Sequence, residues 1–270
     1  MALALCAALA GPPVTGAAEV LRISGTGSAI GSIRQLAASF ERSDPGVTVK
    51  LLPSVGSSGA IRAVLEGALD IGISGRALRP EERAGGLVEL AYARTPFVFA
   101  AGPRVSAAGL TGPQLARIYR GELTSWDDGE RIRLVLRPRT DVDTLIVRAI
   151  SAELDAAMEQ ALGRDGLLMA ATNQDCNELL ARTPGSLGPS TLSQLLTEVQ
   201  ALRPLAWHGV APSVRGLASG AYPLGKTLWL VVPVRPSPVA GRFLDWLRTP
   251  AAREILERTG NLPLPLPAAP

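Results

Sequence analysis

Histidine, cysteine and aromatic residues are scarce in this chain of 270 residues: one His, two Cys, and Phe, Trp and Tyr together at 4%. The single His208 sits in the loop-like stretch "PLAWHGVAPS" and leaves little acid–base machinery near neutral pH. No combination of nucleophile, base and orienting group assembles around it. Cys6 falls in the apolar N-terminal segment, so Cys176 stands alone in the remainder; one thiol forms no internal disulfide and reads as packed or idle. Net charge is only +3, and no basic patch is interleaved with aromatics, so no nucleic-acid partner is expected. Beyond the first residues no run is long and apolar enough to span a membrane.

Small and aliphatic residues fill the gap. Hydrophobic residues reach 47% with few aromatics among them, which suits a layered α/β interior of Ala, Val, Leu and Ile. The N-terminus, "MALALCAALAGPPVTGAAEV", runs apolar from Ala2 to Ala10, breaks at Pro and Gly, and puts Gly16 and Ala18 at the small positions of a cleavage site. The basic n-region of a signal peptide is missing. Residues 1–18 are nevertheless expected to be a signal peptide, with the mature chain starting near Glu19 and exported.

Strand and helix patterns then alternate. "EVLRIS", "VTVKLLPS", "LDIGISG" and "TPFVFAAG" read as strands, and helical spacing marks "SAIGSIRQLAASFERS" and "GSSGAIRAVLEGA". That order implies right-handed βαβ crossovers and a mostly parallel sheet. Further on, "LTGPQLARIYRGEL" is a helix capped by Thr111, "RIRLVLR" a strand, and "DVDTLIVRAISAELDAAMEQALG" a helical stretch. "GSLGPSTLSQLL" reads as a Gly/Ser turn leading to a helix. "YPLGKTLWLVVP" is a strand, helices flank Pro250, and the tail "NLPLPLPAAP" is extended or disordered.

The segment "LRISGTGSAIGSIRQLAASF" carries a glycine-rich loop between strand and helix, close to a dinucleotide fingerprint. That fingerprint requires an acidic residue after the next strand, and "VTVKLLPSVGSSG" has none. It offers a second Gly/Ser loop opening a second helix. Two helix N-termini facing one crevice, with Ser28, Ser57 and Ser58 as neutral donors, suit a small tetrahedral oxyanion held without metal or cofactor. Ordinary glycine turns with serines capping helices would leave the same pattern. In "SWDDG", Asp127 and Asp128 read as capping or solvated groups and Trp126 as a packing residue; Trp207, Trp229 and Trp246 read likewise as packing.

The succession "GTGSAIG", "GSSGAIRAVLEGALDIGISGRAL", "LTGPQLARIYRGELTSW", a strand ending in Arg137, and "YPLGKTLWLVV" resembles the periplasmic phosphate-binding proteins of ABC importers, from about Leu21 to about Leu256. The resemblance implies a type II periplasmic-binding-protein fold: two α/β lobes joined by two crossing segments, with the ligand between them. It implies a monomeric periplasmic protein that presents a small oxyanion, phosphate first, to a transporter permease, and not an enzyme. Lobe one is expected at 19–95 plus 226–262, lobe two at 96–225, and the Pro-rich tail at 263–270. Carried over, the ligand-binding positions are Gly27, Ser28, Ala29, Ile30, Ser57, Ser58, Gly59, Arg137 and Thr140. Two departures stand out: Gly75 occupies the place of an acidic residue that accepts a proton from the anion, and Asp141 and Asp143 replace small neutral residues. A bare carboxylate beside a bound dianion would cost several kcal/mol, so these aspartates are expected to point away, to pair with Arg139 or Arg76, or to meet another ligand; the alternative is an Arg137 that only pairs with Asp141 or Asp143 and meets no ligand. An extracytoplasmic sensor or scaffold without transport, or an enzyme acting on a phosphorylated substrate, are the alternatives.

Overall fold

The computed structural model describes residues 18–198 and 201–267; the expected signal peptide lies almost wholly outside them. The chain opens as β1 (Glu19–Gly25), α1 (Gly27–Ser43), β2 (Val47–Leu51), α2 (Gly56–Leu65), β3 (Ile71–Ser74), α3 (Pro80–Ala84) and the long β4 (Leu87–Ala101). It continues through β5 (Gly109–Leu110), α4 (Gly112–Arg120), β6 (Arg133–Leu136), α5 (Val142–Ile150), α6 (Ala152–Leu162), β7 (Leu168–Met169) and α7 (Asn173–Arg182). Then come β8 (Ser186–Thr191), α8 (Leu192–Thr197), β9 (Arg203–Pro204), β10 (Ala206–Trp207) and α9 (Val214–Ser219). The last elements are β11 (Gly225–Pro233), α10 (Pro238–Trp246), α11 (Pro250–Arg258) and β12 (Leu262–Pro263).

Local chemistry explains most boundaries. Thr111 and Gln114 form a reciprocal capping box at the start of α4, and Gly121 ends it in the left-handed region at φ 78°. The helical stretch expected from 141 to 163 is broken at Ser151, whose extended backbone and hydroxyl cap α6. The "SLGPST" stretch after Gly185 is not a turn. It is β8, buried along its whole length between β4 and β6, where small residues let neighbouring backbones approach.

The main sheet runs β2-β1-β3-β11-β4-β8-β6-β7. β2, β1 and β3 are parallel, as are β8, β6 and β7. Between these two parallel halves, β11 and β4 pair antiparallel with each other from Gly225–Pro96 to Pro233–Leu87. Pro96, which lacks an N–H, falls at the last rung of that ladder. Helices flank the sheet, giving a two-lobed α/β fold with a core in each half. One core joins Leu21, Ile33, Phe40 and Ile73 to Leu230, Phe243 and Ile255. The other joins Phe97, Tyr119, Val147 and Leu187 to Trp207 and Tyr222. The crevice between them is floored by the start of β11 and walled by the N-terminal ends of α1, α2, α5 and α7.

Candidate functional site

α2 starts at Gly56, at φ 69°, and has no side-chain cap at its N-terminus. Its first-turn N–H groups and the Ser57 and Ser58 hydroxyls therefore stand at the mouth of the crevice. A cavity of about 210 Å³ opens there, with Ser57, Ser58 and Gly59 on one wall and Thr140 and Asp141 on the other. Lys226 and Thr26 complete it. Ser57 is buried and its Oγ accepts the Gly75 N–H at 2.9 Å, which fixes the α2 turn against the end of β3.

The other expected members lie apart from this cavity. Gly27, Ser28, Ala29 and Ile30 are all buried. The Ala29 N–H already bonds to Thr26 O. α7 covers the α1 terminus: the Gln174 side chain donates to Gly27 O at 3.1 Å, and a Cβ on Gly27 would stand 2.2 Å from Gln174 Oε1. Gln174, Gln194 and Asn177 all donate to Glu198, whose carboxyl burial pushes above the usual carboxylate range. Ile30 instead lines a separate space of about 400 Å³ with Arg34 and Glu198.

Arg137 follows β6 and is 3% exposed. Its guanidinium donates to both oxygens of Asp141, at 2.7 and 3.3 Å, and to Ala170 O at 2.7 Å. Asp141 also accepts the Asp143 N–H and so caps α5. Neither Arg139 nor Arg76 takes the aspartates, and the alternative pairing of Asp141 with Arg137 is the one that forms. Arg139 pairs with Glu159 and Arg76 with Glu82, while Asp141 takes Arg137. Asp143, fully buried, accepts from Lys226 Nζ at 2.5 Å and from Asn173 Nδ2 at 2.6 Å. Each carboxylate lies near enough to a cation that neither needs to leave the crevice.

Lys226 is the residue that sequence reasoning missed. It projects from β11 into the crevice, 1% exposed, and donates to Ser28 Oγ at 2.7 Å as well as to Asp143. Gly75 makes room for it: a Cβ there would lie 2.6 Å from Lys226 Cε. Glycine at 75 and lysine at 226 thus depend on each other sterically. The available signal was a lysine inside an otherwise apolar strand, in a chain whose only other lysine is Lys50.

At the rim, both terminal nitrogens of Arg76 reach Glu82 at 2.7 Å, and one also donates to Ser58 Oγ at 3.2 Å. The Arg76 hydrogen bonds hold the Glu82 carboxyl down to about 2. A carboxyl depressed on folding stabilises above its unfolded pKa, and that contribution disappears as pH falls through the folded value. Glu82→Gln is therefore expected to cost on the order of 1–2 kcal/mol at pH 6, allowing for solvent screening. Urea unfolding of both proteins should show the gap narrowing from about pH 4.5 and closing near pH 2. A gap independent of pH would mean that the pair is not its source. Elsewhere, Cys176 is buried and its thiol is pushed up to about 12, in keeping with an idle side chain. Trp126 is buried and donates to Gly185 O.

A sequence profile of the PBP superfamily domain matches residues 12–250. The phosphate-binding protein PstS of Bacillus subtilis is 25% identical over 253 residues, covering 90% of this chain and 80% of that protein. PstS 2 of Streptococcus pneumoniae is 33% identical over 107 residues, 40% of this chain and 36% of that protein. A Clostridium perfringens protein solved with bound phosphate superposes with a TM-score of 0.76 at 19% identity, covering 92% of this chain and all of the other. The periplasmic molybdate-binding protein of Azotobacter vinelandii superposes at 0.62 with 17% identity, over 91% and 99% of the two chains. The two-lobed architecture, the crevice between its cores and a profile spanning most of the residues agree: the chain belongs to the PBP superfamily.

Proposed function

We propose that this protein is an exported solute-binding protein that holds a small oxyanion, phosphate first, between its lobes for an ABC importer. One observation carries the proposal: the uncapped turn of α2 and Lys226 line a single cavity between the two halves of the fold. Backbone N–H groups at a helix start, neutral hydroxyls and a desolvated cation are the donors an oxyanion needs. The PstS relatives, described as phosphate-binding, and the phosphate-bound structural neighbour support the ligand class. The proposed site comprises Ser57, Ser58, Gly59 and Thr140 at the cavity, now with Lys226. Gly27, Ser28, Ala29, Ile30 and Arg137 stand behind it, with Arg137 neutralising Asp141. The two cores support lobes at 19–95 plus 226–262 and at 96–225. Periplasmic residence, a permease partner and a monomeric state belong to the same proposal.

Calorimetry with phosphate, sulfate, molybdate and a phosphate ester tests it. Wild type is expected to bind phosphate in the micromolar range. Arg137→Ala exposes the ligand to an unneutralised Asp141 and should lose on the order of 2 kcal/mol or more, roughly 30-fold. Equal, weak binding by both proteins would favour a second reading, a sensor or scaffold that kept the fold. The engagement of Lys226 by Asp143 is the observation on that side.

A further inference from the structure

The oxyanion reading leaves one feature of the cavity unused: a carboxylate. Asp141 lines the same space as the α2 turn, and its side chain is 23% exposed although Arg137 holds it. In this crevice the charges cancel, Lys226 against Asp143 and Arg137 against Asp141. A dianion entering such a cluster brings two charges that nothing there balances, whereas a ligand carrying its own cation brings one fewer. The cavity, about 210 Å³, is much larger than one tetrahedral ion and smaller than the roughly 300–1,000 Å³ of a pocket for a drug-sized molecule. It offers donors at one end and an acceptor at the other.

Resting on the oxyanion reading, we propose that the preferred ligand is a small phosphoryl or phosphonyl compound bearing an ammonium group. Its anionic end sits on the Ser57–Gly59 turn and Lys226, and its ammonium on the exposed edge of Asp141. Lys226 has three N–H donors and gives two of them to Ser28 and Asp143, which leaves one for the anionic end. Asp141 has acceptor capacity beyond the bonds from Arg137 and the Asp143 N–H. A primary ammonium is compact enough to share a carboxylate with a guanidinium.

The test is calorimetry of the folded protein with aminoethyl phosphate, ethyl phosphate, inorganic phosphate and sulfate. Aminoethyl phosphate is expected to bind at least 10-fold more tightly than ethyl phosphate and inorganic phosphate. Asp141→Asn should bring that ratio close to one; asparagine still caps α5, and a melting curve of the variant checks that it stays folded although Arg137 loses its carboxylate. Inorganic phosphate binding as tightly as aminoethyl phosphate to wild type would overturn the proposal and leave the oxyanion reading intact. A preference for aminoethyl phosphate that survives Asp141→Asn would overturn the assignment to Asp141. Binding of none of the four would overturn the oxyanion reading itself.

Discussion

Lys226→Met is expected to lower the unfolding free energy by about 3–5 kcal/mol, the range for breaking a buried ion pair from one side. Methionine fills much of the lysine's volume, so the loss comes from charge. Asp143 is fully buried and would keep only the Asn173 amide as a side-chain donor, while Ser28 Oγ would lose its own. In a folded domain of this size each kcal/mol moves the midpoint by about 2–4 °C, so a drop of roughly 10 °C is expected. The double variant Lys226→Met, Asp143→Asn removes the stranded charge and should recover a large part of the loss. Thermal unfolding of wild type, both singles and the double reads this directly. A double variant as unstable as the sum of the singles would show that the two residues act independently.

Gly25→Ala should be worse still, and for a reason unrelated to ligands. Gly25 ends β1 against Ile73 of β3, and a Cβ there would stand 2.1 Å from Ile73 O and 2.6 Å from Ile73 N and Cβ. Those atoms belong to β3, held between β1 and β11 inside the mixed sheet, and cannot swing aside. Two central strands would have to part, next to Ser54, whose hydroxyl bonds to Gly25 O. Expression without soluble folded protein is the expected outcome, compared with Gly241→Ala as a control within α10, where a Cβ meets nothing and the backbone is helical. A soluble Gly25→Ala protein with a wild-type melting curve would refute the packing argument.

These two residues also show what the amino-acid sequence made legible. The alternation of strands and helices and the Gly/Ser start of α2 could be read because each is local, and the return of the chain through "YPLGKTLWLVV" because the family resemblance implies it. Gly25 and Gly27 could be seen but not interpreted. A glycine kept for an anion and one kept because Ile73 or Gln174 presses on its Cα look alike in a sequence. The Lys226–Asp143 pair was out of reach because its partners are 83 positions apart and the side chain passes through a gap that exists only because residue 75 is glycine. Ser151, which divides α5 from α6, was missed because helical spacing continues across it; only its extended backbone and hydroxyl bond mark the break.

The order in which the strands pair has a consequence in time. β11 is inserted between β3 and β4, so the first core needs Leu228, Leu230 and Val232, and then Phe243 and Ile255 from the helices that follow. Until those residues have been synthesised, β1 to β4 have no partner for the edge of β3 and only part of the cover for Leu21, Ile23 and Phe40. Only the second half, whose core lies between Phe97 and Leu224, can close earlier. The first residues to leave the ribosome are thus among the last to fold, against the usual order of domains during synthesis. An N-terminal part that waits for β11 suits the proposed export, which requires the chain to pass a narrow pore before it folds.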